Sequence, residues 1–256
     1  CYATGNIQGD EKVGGLIGTK FRGAITDSYA EGDVSGNKLV GGLVGYLETI
    51  DQDDSIDLKN SYAKGKVIGN TAIGGLVGKA GRDANDTALI INGKAYGDVE
   101  GINMVGGLVG DARNANISKS SSEGNVIGQE KVGGLVGRYG RGISELNYSS
   151  SDVTGITKVG GFIGESIPRR SYHEEALIKI CYSTGNVNGD RSLGGFIGEN
   201  ISDIFNCYSA GSVSKGEDAG AFIGINSGEV TIKNCFYDKD KSGLEISDGG
   251  FPRTTK

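Results

Sequence analysis

The residues that could do chemistry are few. The single histidine is His173, in the segment ESIPRRSYHEEAL at 165–177. A zinc site of the H-E-x-x-H kind needs a second His one helical turn further on. His173-Glu174-Glu175-Ala176-Leu177 supplies none, so that zinc site is absent and His173 reads as a loop residue. Asp238-Lys239-Asp240-Lys241-Ser242-Gly243 fits the start of a calcium loop, D-x-D-x-[DNS]-G. The closing Glu of such a loop is missing, because Asp248 stands one place short of it. The segment reads as a solvated turn, with Asp238, Asp240 and Ser242 as the sole metal candidate and no metal or cofactor expected. The cysteines, Cys1, Cys181, Cys207 and Cys235, show no C-x-x-C spacing, which argues against a metal or redox motif. Glycoside cleavage on stacked strands needs carboxylates on neighbouring repeats. The variable position that would carry them reads Thr4, Glu31, Lys64, Tyr96, Glu123, Ser150, Thr184 and Ala210, with no adjacent acidic pair. The chain therefore reads as non-enzymatic.

What must position any such residue is a repeat. The unit is [C/S/N]-Y-[A/S]-x-G-[N/D]-V-x-G-x-x-x-V-G-G-[L/F]-[V/I]-G, with copies starting near 1, 28, 61, 93, 120, 147, 181 and 207. A ninth copy opens at Asn234-Cys235-Phe236-Tyr237 and departs from the pattern, so 234–256 reads as a closing segment of one repeat domain over 1–256. Successive tyrosine positions lie 26–34 residues apart. An aliphatic residue stands four places before most of them: Ile25, Leu58, Ile90, Ile117, Ile178, Ile204 and Ile232. Each unit thus holds three short apolar segments bounded by Gly, Asn or Asp, which is strand length and strand punctuation. Glycine recurs too often for a helix.

Three short strands and three turns make one turn of a right-handed parallel β-solenoid of about eight coils, one repeat per coil. At about 4.8 Å per coil the rod is roughly 40 Å long. Like residues should stack in ladders. The parity of the Ile and Val segments requires a bend near the tyrosine, at a place the sequence does not fix. The recurrent Gly-Gly reads as a corner needing both positive φ and close backbone approach. The position after the first Gly (Asn6, Asp33, Lys66, Asp98, Asn125, Asp152, Asn186, Ser212) reads as a turn ladder whose side chains bond neighbouring backbone, rather than a calcium row. Cys181, Cys207 and Cys235 share a slot that Ser28, Ser61 and Asn147 fill elsewhere. A disulfide between two of them is open in an oxidising compartment, but a slot that accepts Ser favours free stacked thiols.

These residues resemble the GLUG motif. It stands as Gly15-Leu16-Ile17-Gly18, Gly42-Leu43-Val44-Gly45, Gly75-Leu76-Val77-Gly78, Gly107-Leu108-Val109-Gly110 and Gly134-Leu135-Val136-Gly137. Phe replaces Leu in Gly161-Phe162-Ile163-Gly164 and Gly195-Phe196-Ile197-Gly198, and the eighth copy is Ala221-Phe222-Ile223-Gly224. The resemblance implies a module of a large bacterial surface or secreted protein, such as an adhesin-like protein or the non-catalytic part of an immunoglobulin A1 metallopeptidase. The expected function is a non-catalytic structural and adhesive rod, extracellular or at the cell surface, that displays loops for protein or glycan contact. The alternative is an accessory domain that positions substrate for a secreted metallopeptidase. The start at Cys1, without Met or leader and partway through a repeat, reads as a piece of a larger protein.

Three intervals are longer than the rest, and the extra residues fall after the GGLVG-type corner, at 46–57, 79–89 and 165–177. Insertions at one point of a repeat emerge on one face, often the binding face. The candidate binding residues there are Asp51, Asp53 and Asp54, then Asp83 and Asp86, then Arg169, Arg170, Tyr172 and His173. A host protein or glycan and the flanking domains are the expected partners. With 26 Lys+Arg against 32 Asp+Glu and a net charge of −6, nucleic acid is not expected. The short apolar runs exclude membrane insertion by helices.

Overall fold

The computed structural model describes residues 1–48, 57–82, 87–167 and 176–255. The repeats form a parallel β-solenoid with four sheets, of 16, 7, 8 and 8 strands, here called A to D. The second coil shows the plan: Ile25–Thr26 and Tyr29–Ala30 lie in sheet A, Val34–Ser35 in B, Lys38–Gly41 in C and Val44–Leu47 in D. The expected three segments are therefore too few. The V-G-G-L-V stretch is not one strand but two, because the chain turns at the Gly-Gly pair between C and D.

Register is strict. Val34 pairs with Val67, Val67 with Val99, Val99 with Val126, Val126 with Val153 and Val153 with Val187. This column and the Val13–Val40–Ile73–Val105–Val132–Val159–Leu193 column form one buried core. A second core holds the Leu and Phe of the corners, from Leu43 to Phe222, with the aliphatic column of sheet A. Burying each such side chain stabilises by about 1.5–3 kcal/mol.

The Gly-Gly pair separates the two cores, and its glycines are required by closeness alone; neither has positive φ, which corrects half of the expectation. A Cβ on the first Gly of the second coil, Gly41, would lie 2.0 Å from the Val44 carbonyl oxygen. A Cβ on the second, Gly42, would lie 2.1 Å from the Gly75 oxygen of the next coil and 2.7 Å from the Ala63 Cβ. The [A/S] of the repeat is small for the same reason. Where it is Ser122, Ser183 or Ser209, the hydroxyl donates across the pinch, to the Gly134 carbonyl at 2.6 Å, that of Gly195 at 2.7 Å and that of Ala221 at 2.9 Å. The one lapse, Ala221, falls on the last full coil, where no further corner lies above it and its N–H bonds the Ile246 carbonyl instead.

The bend that parity required has a definite place. Asp27, Asn60, Asn92, Lys119, Leu146, Ile180, Asn206 and Asn234, each two residues before the tyrosine position, have φ between 47° and 58°. A second ladder, Lys12, Leu39, Ala72, Met104, Lys131, Lys158, Ser192 and Asp218, does the same within sheet C. Each left-handed residue flips the alternation of side chains. Both Ile25 and Cys- or Ser-type residues thus face inward across sheet A.

The far end is closed by the chain itself. Ser247 Oγ accepts from the N–H groups of Phe222 (3.1 Å) and Ile223 (2.9 Å), Leu244 packs against both cores, and Gly250 lies over the Phe222 ring.

Candidate functional site

All three insertions leave and re-enter at one corner, between sheets D and A. Their stems are Glu48 and Asp57, Arg82 and Thr87, and Ile167 and Ala176. Asp51, Asp53, Asp54, Asp83, Asp86, Arg169, Arg170, Tyr172 and His173 lie outside the described residues. The loops are shorter than expected. Strand D runs two residues past the last Gly of each corner, to Leu47, Ala80 and Ser166, because those end residues pack inward. Tyr46, Ala80, Glu165 and Ser166, placed in the loops by sequence, are thus buried strand residues.

Asp57 is likewise not displayed. It is fully buried and ion-paired with Lys20, itself 6% exposed, and its other oxygen accepts the Leu89 N–H at 2.8 Å. One carboxylate thereby ties the stem of the first loop to the coils on both sides. Glu48, at the other stem, pairs with Arg82 of the second loop at 3.2 Å. The two adjacent stems are thus fixed to each other as well as to the rod.

Beside these stems, sheet D together with lysines of sheet C carries a charged ladder. Lys12 and Lys79 sit 5.9 and 5.1 Å from the centre of the Tyr46 ring. Arg138 donates to both oxygens of Asp111, at 2.9 and 2.7 Å. Lys158 bridges Glu165 and Glu199. Burial alone would lower the Lys158 pKa, but its bonds to the two carboxylates outweigh that and hold it above the usual lysine range. Opposite charges on successive coils attract where like charges would repel.

The turn ladder behaves as the sequence suggested. The carboxamide or carboxylate oxygen of Asn6, Asp33, Asp98, Asp152 and Asn186 each accepts the backbone N–H of the equivalent residue one coil on, at 2.8–3.1 Å. The cysteine slot works by the same rule. Ser28 donates its hydroxyl to the Thr26 carbonyl at 2.8 Å, and Ser61 Oγ accepts the Ser28 N–H at 3.1 Å. Cys181 donates to the Lys179 carbonyl at 3.2 Å, and Cys207 Sγ accepts the Cys181 N–H at 3.4 Å. All four cysteines are free thiols, and burial pushes the Cys207 thiol up.

The candidate calcium residues are engaged by the chain itself. Asp238 caps a single helical turn, Lys239–Ser242, by accepting from the N–H groups of Asp240 and Lys241, and it also accepts the Thr255 hydroxyl. Asp240 accepts the Thr255 N–H at 3.1 Å, while Ser242 is buried and turned to the Lys239 and Leu244 carbonyls. Among the described residues no group of three or more His, Cys, Asp or Glu side chains is placed to hold a metal ion.

Sequence reasoning missed the outer aromatic stripe. The recurrent tyrosines stack ring on ring: Tyr2, Tyr29 and Tyr62 at 5.2 and 4.9 Å, and Tyr148, Tyr182 and Tyr208 at 5.2 and 5.1 Å. The fixed place of Tyr in the repeat was the signal for it. Among the described residues the Lys20–Asp57 pair has no counterpart in the other repeats, so no periodicity marked it.

The family model described as the GLUG motif matches residues 36–68, whose described residues run from the end of sheet B in the second coil to sheet B in the third. No curated protein and no solved structure matches the chain.

Proposed function

Taking the chain as a GLUG-motif repeat protein, we propose that it is a non-catalytic extracellular rod of a bacterial surface protein. It spaces other domains and displays loops for contact with a protein or glycan. The observation that carries this reading is the common corner of the three insertions. They spring from one edge of a rigid ladder, two of them with stems locked by Lys20–Asp57 and Glu48–Arg82. The first two are on adjacent coils, and the third is three coils further, about 15 Å along the rod. Rigid scaffolds that vary only in loops at one edge are built for recognition. The carboxylates of the described face support a non-catalytic role, since Asp57 and Asp111 are each paired with a cation and Glu165 and Glu199 are both held by Lys158.

Binding of the intact chain to a glycan array and to immobilised matrix glycoproteins tests the display role. A variant with all three loops cut to the 10–12-residue connection of the other repeats is the comparison. The reading expects the trimmed chain to fold and to lose at least about tenfold in affinity. Undiminished binding by the trimmed chain refutes it.

A further inference from the structure

The aromatic stripe ends in an open ring. Tyr148, Tyr182 and Tyr208 stack with their planes within 6° of parallel, so each ring face inside the stack is covered by its neighbour. The next residue in the column is Phe236, in register with Tyr208. Its ring does not continue the stack. It turns to Phe251 instead, at 6.5 Å and 47°, and carries the Arg253 guanidinium 4.4 Å from its centre. One face of Tyr208 thus meets no ring among the described residues, and the side chain is 43% exposed. The space left is a shallow cavity of about 300 Å³, lined by Tyr208, Phe236, Asp238 and Arg253 among others. That volume is at the lower end of ligand pockets and suits one small ring.

The polar groups at its edge narrow the chemistry. Arg253 donates one hydrogen bond, to the Pro252 carbonyl at 3.3 Å, and forms no ion pair among the described residues, so the rest of its fork is available. Asp238 is its register partner across the strand pair; its Oδ1 is taken by the Asp240 and Lys241 N–H groups, and its Oδ2, which accepts the Thr255 hydroxyl, has a second lone pair for one more donor. The two formal charges cancel. A charged ligand would therefore gain from one and lose to the other. A neutral ligand with an apolar face and several hydroxyls uses all three features: the ring face, the donor and the acceptor.

We propose that this cavity is a binding site for one neutral pyranose ring of a glycan, its C–H face on Tyr208 and its hydroxyls on Arg253 and Asp238. The site lies at the closing end of the rod and involves none of the loop residues, so it stands independently of the loop-display reading.

The test is a titration of the amide ¹H–¹⁵N spectrum with methyl glucoside, methyl galactoside and methyl mannoside. Methyl glucuronoside serves as the anionic probe and N-acetyltyrosinamide as the peptide-like one. At least one neutral glycoside should shift the amides of residues 208–210, 236–238 and 253–254 saturably, in the millimolar range usual for a single sugar ring. Tyr208→Ala should weaken binding about tenfold, while Tyr208→Phe, which keeps the ring face, should change it less than about twofold. Arg253→Ala, at an exposed position that the coils do not depend on, should also cost about tenfold. The loop-trimmed chain should bind as the intact one does, which separates this site from the loop face. The proposal is overturned if no neutral glycoside gives saturable shifts there. It is equally overturned if the glucuronoside or N-acetyltyrosinamide binds more tightly than every neutral glycoside, or if Arg253→Ala leaves binding unchanged.

Discussion

Replacing Ile180 by Asn should stabilise the protein. Ile180 is a β-branched residue held at φ 54°, a region that costs an L-residue about 1–2 kcal/mol and is tolerated best by Asn and Asp. Its column supplies the comparison: Asp27, Asn60, Asn92, Asn206 and Asn234 occupy the same place. Their side chains bond along the rod, Asn60 to Asp27 at 3.1 Å, Asn92 to Asn60 at 2.9 Å and Asn234 to Asn206 at 3.1 Å. Asn at 180 would relieve most of the backbone cost and accept from Asn206, a surface hydrogen bond worth about 0.5 kcal/mol. Against this stands the lost packing of a side chain that is already 46% exposed, about 1 kcal/mol. The balance is a gain of about 1 kcal/mol, or about 2–4 °C in Tm for a chain of this size. Ile180→Ala is the control, since it loses the packing and keeps the backbone cost, so its Tm should fall. Thermal unfolding of the three proteins side by side decides the matter. An Asn variant no more stable than the parent, or no more stable than the Ala variant, would refute the assignment of strain to this column.

Gly107→Ala should cost about 3 kcal/mol or more, because its Cβ would lie 2.0 Å from the Gly134 carbonyl oxygen and must push two coils apart; urea unfolding reads the loss. Asp57→Ala leaves Lys20 buried without its partner and should cost about 3–5 kcal/mol, whereas cutting residues 50–55 while keeping Asp57 should cost little. Changing Cys181, Cys207 and Cys235 together to Ser should alter stability by no more than about 1 kcal/mol, and only Cys1 should react promptly with a thiol reagent in the folded protein. The Thr255 hydroxyl on Asp238 holds that carboxyl below its usual range. A depressed carboxyl contributes stability above its unfolded pKa and loses it as the pH falls through the folded value. The closing turn should therefore loosen only in acid below the ordinary aspartate range. An NMR titration in which the Thr255 and Asp240 amides respond at or above that range would contradict it.

The columns of the solenoid were legible because a solenoid repeats its chemistry once per coil. The Val of sheet B, the Leu or Phe of the corner and the Asn or Asp of the turn ladder recur at fixed places, and each proved to be one vertical row. The fourth sheet was hidden by Gly-Gly, which interrupts an apolar run without changing its composition. The left-handed ladder in sheet C was hidden differently. Lys12, Leu39, Met104 and Lys158 bear none of the Gly or Asn signature of positive φ, because the coils above and below impose the conformation. Of the candidate site, the common corner was legible from the intervals alone. The stems were not, since Lys20–Asp57 and Glu48–Arg82 join residues from different coils that no spacing relates.

The central claim is that one repeat makes one coil, stacked in parallel and in register. Methyl-labelled valine in a NOESY experiment tests it most directly, through the column Val34, Val67, Val99, Val126, Val153 and Val187. The account predicts cross-peaks between each consecutive pair along the column and none that skip a coil. Cross-peaks between non-consecutive repeats, or a pattern of antiparallel hairpins within each repeat, would contradict it.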